Sequence, residues 1–339
     1  MPAYKTVFVT DRGQRHQQRA LDAAPELLDV TMLRNPDRQT LQAALADATY
    51  LISERGGEID AALIEAAPDL RLILRLGSLT YDVDANAARR AGVKVCYWPL
   101  AGAVLVAEHV VMQMLAVAKR LRETEAVALN AGPHWGYPQR TDEDVFAFNW
   151  AELESIEGLS GKTVGIAGFG EIGVELARRL RGWECRLLYN KRRRLPDVAE
   201  ADLGLTYADV ETLFAESDVV ANLLPYAGAL DGRIGRDLIG RMKPGAFLVS
   251  SGSGGVIDEA ALAAAIVEGR LAGAALDTFE WEPLPPDNPL LALAQEGHNI
   301  LLTPHVAGGG SEAAARQVAA CYTNVLDDIE GRPLRYQLE

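Results

Sequence analysis

Along the first hundred residues, short apolar runs alternate with stretches whose apolar positions recur every three or four residues. KTVFVT (5–10), VTMLR (30–34), TYLIS (49–53), LRLILRLG (70–77) and VKVCYW (93–98) read as strands. LQAALADA, IDAALIEAAP and VDANAARRAG between them read as helices. Strictly alternating strands and helices predict parallel βαβ units and an α/β fold. AEHVVMQMLAVAKRLRE (107–123) is the longest helical stretch, apolar at Val110, Val111, Met114, Leu115 and Ala118. From Asn130 to Gly158 no period persists; so long an irregular stretch, rich in aromatics and carrying two prolines, is expected to be a functional arm or lid. A second alternating series then runs through KTVGIAGFG (162–170), CRLLYN (185–190), DVVANLL (218–224), GAFLVS (245–250), LAGAALD (271–277) and NILLTPH (299–305). A last helix is predicted over Ser311 to Ile329; the pattern alone leaves open which series it packs on.

Composition narrows the function class more than the fold. The 339 residues are 49% hydrophobic and 24% charged, ordinary for a globular chain and long enough for two domains. Lys and Arg number 33 against 47 Asp and Glu, a net charge of −14, which disfavours a nucleic-acid partner because the backbone attraction would be repulsive. The five His show no metal-ligand spacing, and Cys96, Cys185 and Cys321 lie far apart with no CxxC, so neither a metal site nor a disulfide framework is expected. The N-terminus lacks a basic-then-apolar leader and no apolar run approaches membrane-spanning length. A cytoplasmic protein with a small-molecule substrate and no membrane partner is the expectation.

TVGIAGFGEIGVELARRL places Gly168, Gly170 and Gly173 in GxGxxG spacing between a strand and a helix. This predicts a dinucleotide loop over Gly168, Phe169, Gly170, Glu171, Ile172 and Gly173, with the pyrophosphate on the helix N-terminus. A plain βα turn is the competing reading. The following strand ends in Asn190, Lys191, Arg192, Arg193 and Arg194, where a ribose-binding carboxylate would favour NAD. Four cations in a row fit a 2′-phosphate, so NADP is favoured and NAD remains possible.

VAEHVVMQMLAVAKR, KTVGIAGFGEIG, MKPGAFLV with GGVIDEAAL, GAALDTFEWEPLP and LLTPHVAGG together resemble the D-isomer-specific 2-hydroxyacid dehydrogenases over essentially the whole chain. The resemblance implies two Rossmann-like, doubly wound domains with the active site in the cleft between them, and a homodimer. It implies that residues 1–103 and 306–339 form the substrate domain and 104–305 the nucleotide domain, which would return the last helix to the first series. It also implies that His305 and Glu282 form the acid/base dyad, that Asp277 lies near the nicotinamide, and that Leu224 and Pro225 border the cofactor. The residue types suit this chemistry, since a His donates a proton near neutral pH and a carboxylate orients it.

The resemblance breaks at the substrate. The family's carboxylate-gripping arginine falls on Ser253, within SSGSGG (250–255), and serine offers one neutral hydrogen bond instead of a charged fork. In Gly77-Ser78-Leu79 a leucine stands where the family's substrate loop usually has a second glycine. Tyr97 and Trp98 occupy a segment that is smaller and more polar in relatives, and Arg55 lies in a loop that faces the cleft there. The expected substrate is therefore a 2-hydroxy or 2-oxo acid, or a bulkier relative without a free carboxylate, walled by Tyr97, Trp98, Trp135 and Tyr137; for Arg55 a replacement cation and a plain surface role are both open. Transient oxidation in an elimination, or a non-catalytic nucleotide sensor, are the alternatives. The arm with Trp135 and Trp150 is otherwise expected at the dimer interface.

Overall fold

The computed structural model describes residues 4–145, 148–310 and 320–338. The chain divides into two compact units, residues 1–105 with 308–339, and residues 106–307.

In the first unit, β1 (Tyr4–Thr10), β2 (Leu28–Arg34), β3 (Tyr50–Glu54), β4 (Leu72–Leu76) and β5 (Lys94–Trp98) form one parallel sheet in the order β2-β1-β3-β4-β5. Every residue of β3 and β4 is buried, as expected of central parallel strands. Three of the four intervening helices start at Asp37, Asp60 and Asp84, whose carboxylates accept the amides of Thr40, Leu63 and Ala87.

Part of the predicted last helix, residues 311–319, lies outside the described residues; Thr323–Ile329 is helical. Its Asp328 carboxylate is buried on the first sheet, taking the Tyr50 hydroxyl at 2.9 Å, the Lys94 ammonium at 2.7 Å and an Arg71 amino group at 2.8 Å. Burial pushes this carboxyl up, but these donors outweigh it and hold it below its ordinary range. Residues 335–338 then run antiparallel beside β5. The Tyr97 amide donates to the Tyr336 carbonyl (3.1 Å) and the Leu338 amide to that of Val95 (2.9 Å), so the tail covers an otherwise open sheet edge.

In the second unit, β6 (Thr163–Ala167), β7 (Arg186–Asn190), β8 (Leu205–Tyr207), β9 (Val219–Asn222), β10 (Ala246–Ser250), β11 (Leu271–Leu276) and β12 (Ile300–Leu302) are all parallel, in the order β12-β11-β10-β9-β6-β7-β8. The strand order reverses between β6 and β9, so the loops after these two strands flank the crevice where such sheets bind ligands.

The helix Ala101–Ala118 corrects one expectation. It is long and apolar enough to cross a membrane by length and composition. The physical reason lies in packing: Ala107, Val110, Gln113, Met114 and Val117 are buried within the protein. It also ends earlier than its periodicity predicts, because Arg120 adopts φ +50° and a separate helix, Leu121–Leu129, follows.

Candidate active site

The glycines of the loop after β6 serve different ends. Gly168 has φ +90°, and a Cβ there would meet the Leu224 amide nitrogen at 2.7 Å. A Cβ at Gly173 would lie 2.9 Å from the Phe169 ring. Gly170 is the one that faces open space, with no atom within 4 Å of a Cβ position. It caps the helix Glu171–Leu180, whose first turn presents amides without intrahelical acceptors. Bare backbone, a helix N-terminus and room above it fit a pyrophosphate. Leu224, half-buried, and Pro225, exposed, follow β9 on the other side of the crevice. The Phe169 ring is buried 5.0 Å from that of Tyr189, and its amide donates to the Asn190 carbonyl at 3.0 Å, so its side chain packs in the core beneath the loop.

The basic turn is also redistributed. The Asn190 side chain donates to the Ala208 carbonyl at 2.8 Å and leaves no carboxylate at the end of β7. Arg194 grips Glu200 through Nε (2.8 Å) and Nη2 (2.6 Å), and the Tyr189 hydroxyl donates to the same carboxylate at 2.6 Å. Arg194 thereby holds the Glu200 carboxyl down at about 2, against the opposing effect of burial. Of the four cations, Arg192, Arg193 and Arg194 are exposed and Lys191 is half-buried, and Arg194 is tied to Glu200 as a buttress.

His305 and Glu282 come together: Nδ1 of His305 lies 2.7 Å from Oε2 of Glu282, and Oε1 of Glu282 accepts the Phe279 amide at 3.1 Å. The imidazole is 61% exposed and its carboxylate partner 35%. His305 has φ +52°, in the left-handed region that a non-glycine residue rarely adopts. Asp277 holds it there. The Asp277 carbonyl accepts the His305 amide (2.8 Å), Oδ1 accepts the Thr303 hydroxyl (2.6 Å) and the Val306 amide (3.0 Å), and Oδ2 accepts the Ala307 amide (2.9 Å). Asp277 is wholly buried. The contacts of Asp277 within the protein make it a clasp on the loop that carries the imidazole.

The SSGSGG loop after β10 is bare for packing. A Cβ at Gly252 would meet the Leu224 carbonyl oxygen at 2.8 Å, and one at Gly254 would meet the Phe279 backbone at 2.0 Å. The Gly252 carbonyl accepts the Thr278 hydroxyl at 2.6 Å, and the Ser253 amide donates to Leu224 at 2.9 Å. Ser253 is half-buried, and its hydroxyl has no hydrogen-bond partner among the described residues.

In the first unit, Gly77 (φ +116°) donates its amide to the Trp98 carbonyl at 2.7 Å, and Ser78 and Leu79 are buried. Tyr97 and Trp98 are half-buried and pack on the tail: the Tyr336 ring lies 5.2 Å from one and 5.7 Å from the other. Arg55 has Asp11 at 3.7 Å and remains about half exposed.

Periodicity and motif both missed His109 and Gln113, four residues apart on the Ala101–Ala118 helix. His109 Nε2 lies 3.0 Å from the Thr303 hydroxyl, and Gln113 is completely buried against Ser250 and Ser251. Two polar residues at helical spacing within an apolar run were the available signal.

A family model for the D-isomer specific 2-hydroxyacid dehydrogenase, NAD binding domain, matches residues 111–307. The glyoxylate/hydroxypyruvate reductase B of Yersinia pestis is 34% identical over 299 residues, 87% of this chain and 86% of that one. The glyoxylate reductase of Thermofilum pendens is 33% identical over 297 residues, 87% of this chain and 83% of its own. The D-3-phosphoglycerate dehydrogenase of Archaeoglobus fulgidus is 32% identical over 310 residues, 91% of this chain but 54% of its own, so this chain spans about half its length. Among solved structures, the apo form of Rhodotorula graminis D-mandelate dehydrogenase is alike in fold, with a TM-score of 0.57 at 23% identity over 100% of this chain and 98% of that one. By family model, identity and coverage, this chain belongs to the D-isomer-specific 2-hydroxyacid dehydrogenases, with an NAD-binding domain over residues 111–307.

Proposed function

We propose that the chain reduces a 2-oxo acid, or a relative without a free carboxylate, to the 2-hydroxy compound and catalyses the reverse oxidation, with NADP as the preferred cofactor. The observation that carries this reading is the 2.7 Å pairing of His305 Nδ1 with Glu282. Glu282 is an acceptor, so Nδ1 carries a proton toward it and Nε2 is the nitrogen left for the substrate. In reduction His305 gives a proton to the carbonyl oxygen as it becomes an alkoxide; in oxidation it removes the hydroxyl proton. The bound nicotinamide supplies the hydride. Glu282 stabilises the imidazolium, and the Asp277 clasp keeps the ring in its left-handed loop position. The basic turn supports NADP: Arg192 and Arg193 are exposed, and the last position of β7, Asn190, carries an amide in place of a repelling carboxylate.

A second copy of this chain is the partner that fits the arm. Its Tyr137 and Phe148 are 93% and 80% exposed, and the Trp135 and Trp150 rings pair edge to face at 5.6 Å.

The deciding experiment is turnover of NADPH and NADH on glyoxylate, hydroxypyruvate and a panel of neutral ketones, with His305→Gln as the control. Cofactor consumption matched by hydroxy product, lost in the variant, is the expected result. Substrate loss without net cofactor consumption would instead indicate an internal redox cycle.

A further inference from the structure

The helix Ala101–Ala118 puts two polar side chains, His109 and Gln113, on one face, and each meets a different catalytic loop. The direction of the first contact follows from proton counting. The Thr303 hydroxyl has one proton, and Asp277 Oδ1, an acceptor 2.6 Å away, takes it. The hydroxyl oxygen must then accept from His109, so Nε2 of His109 is protonated. That N–H also lies 3.5 Å from Oδ1 of Asp277. His109 therefore backs the Thr303–Asp277 pair that holds the Val306 and Ala307 amides and, through the Asp277 carbonyl, the His305 amide.

One helical turn on, Gln113 grips the other loop. Its Oε1 accepts the Ser251 hydroxyl at 3.1 Å, and its Nε2 reaches the Ser250 carbonyl at 3.4 Å. Ser250 ends β10, and Ser251 begins the loop that leads into Ser253. A buried amide in a helix that is otherwise mostly apolar costs stability unless it is bonded, so stability alone does not favour glutamine over leucine at this position.

We propose that His109 and Gln113 are positioning residues for the reaction: a two-point helix face that independently sets the loop carrying His305 and the loop carrying Ser253. Neither side chain bonds His305, Glu282 or Ser253 directly, and each acts through a neighbour. The proposal rests on the dehydrogenase reading for its kinetic readout but not for its structural one.

The test uses the full chain with His109→Leu, Gln113→Leu, both together, and His109→Gln, which returns a donor near the Nε2 position. Each leucine variant should lower kcat roughly tenfold with NADPH affinity unchanged. The double variant should show the product of the two losses, since the loops are gripped separately. His109→Gln should recover most of the activity. Hydrogen exchange gives a readout that needs no turnover. His109→Leu should speed exchange in residues 303–307 and leave 250–254 alone, and Gln113→Leu should do the reverse. Wild-type exchange at the targeted loop in either leucine variant would overturn the proposal. So would faster exchange spread evenly over the second unit, or a kcat loss that His109→Gln does not recover. If the wild type reduced no acid or ketone, the dehydrogenase reading would fall while the exchange pattern still judged this one.

Discussion

The backbone of Phe279 crosses Gly254 so closely that a Cβ on the glycine would sit 2.0 Å from its carbonyl carbon. Two main chains, the loop after β10 and the loop after β11, touch with no side chain between them. Gly254→Ala must separate them and should cost about 3 kcal/mol or more of stability. Gly170→Ala meets no atom within 4 Å and should leave stability nearly unchanged while weakening nicotinamide cofactor binding. Chemical denaturation paired with cofactor titration separates the two glycines.

Asp277→Asn keeps the shape of the clasp but removes its charge and one acceptor facing the Val306, Ala307 and Thr303 donors. The expected outcome is a kcat fall of roughly ten- to a hundredfold with cofactor affinity little changed. A selective loss of NADPH binding would return Asp277 to the cofactor and count against the clasp. Steady-state kinetics with fluorescence titration of NADPH makes the distinction.

What was legible in the chain, and what was not, divides by the range of the interaction. The alternating strands, the phosphate loop and the His305/Glu282 pair follow from local pattern and short motifs. The packing of Tyr97 and Trp98 against Tyr336 was not legible, because that ring lies far along the chain from both. Arg194 looked like a fourth phosphate ligand because a run of cations does not say which of them has a buried carboxylate waiting; Glu200, six residues on, takes it. Nothing local in SSGSGG announces that the bareness of Gly252 and Gly254 serves backbone against backbone. Only the fold tells Gly170 from Gly254.

Removing the charges of Arg192 and Arg193 together should weaken NADPH by about ten- to a hundredfold and NADH by less than twofold, as expected when charge-assisted pairs to a phosphate are lost. Equal losses for the two cofactors would mean the turn is only a solvated corner. Paired dissociation constants decide it.

Ser253→Arg should raise activity on glyoxylate and hydroxypyruvate by roughly tenfold or more if a missing cation is what limits those substrates. The flanking backbone bonds to Leu224 and Gly252 do not involve the serine hydroxyl, so the substitution leaves the loop's own ties in place. No gain in kcat/KM would place the substrate difference elsewhere in the site.

Acid should loosen the basic turn in a defined window. Glu200 is held at about 2 in the folded chain, below the ordinary carboxylate value, so its pairing contributes stability that is complete above that ordinary value and is lost as pH falls toward 2. Wild type should exceed Glu200→Gln in unfolding free energy at pH 6, and the gap should narrow steadily below about pH 4.5. A gap independent of pH would mean that the Arg194 pairing adds nothing.

The tail beside β5 has a consequence for how the chain is made. The second unit is one continuous stretch and can close as soon as it has been synthesised. The first unit cannot: its sheet includes β1, Tyr4–Thr10, and is finished by residues 335–338. A growing chain therefore carries an unsealed β5 edge throughout translation of the nucleotide-binding half. That interval is when a nascent polypeptide of this design is most open to pairing with a neighbour on the same messenger.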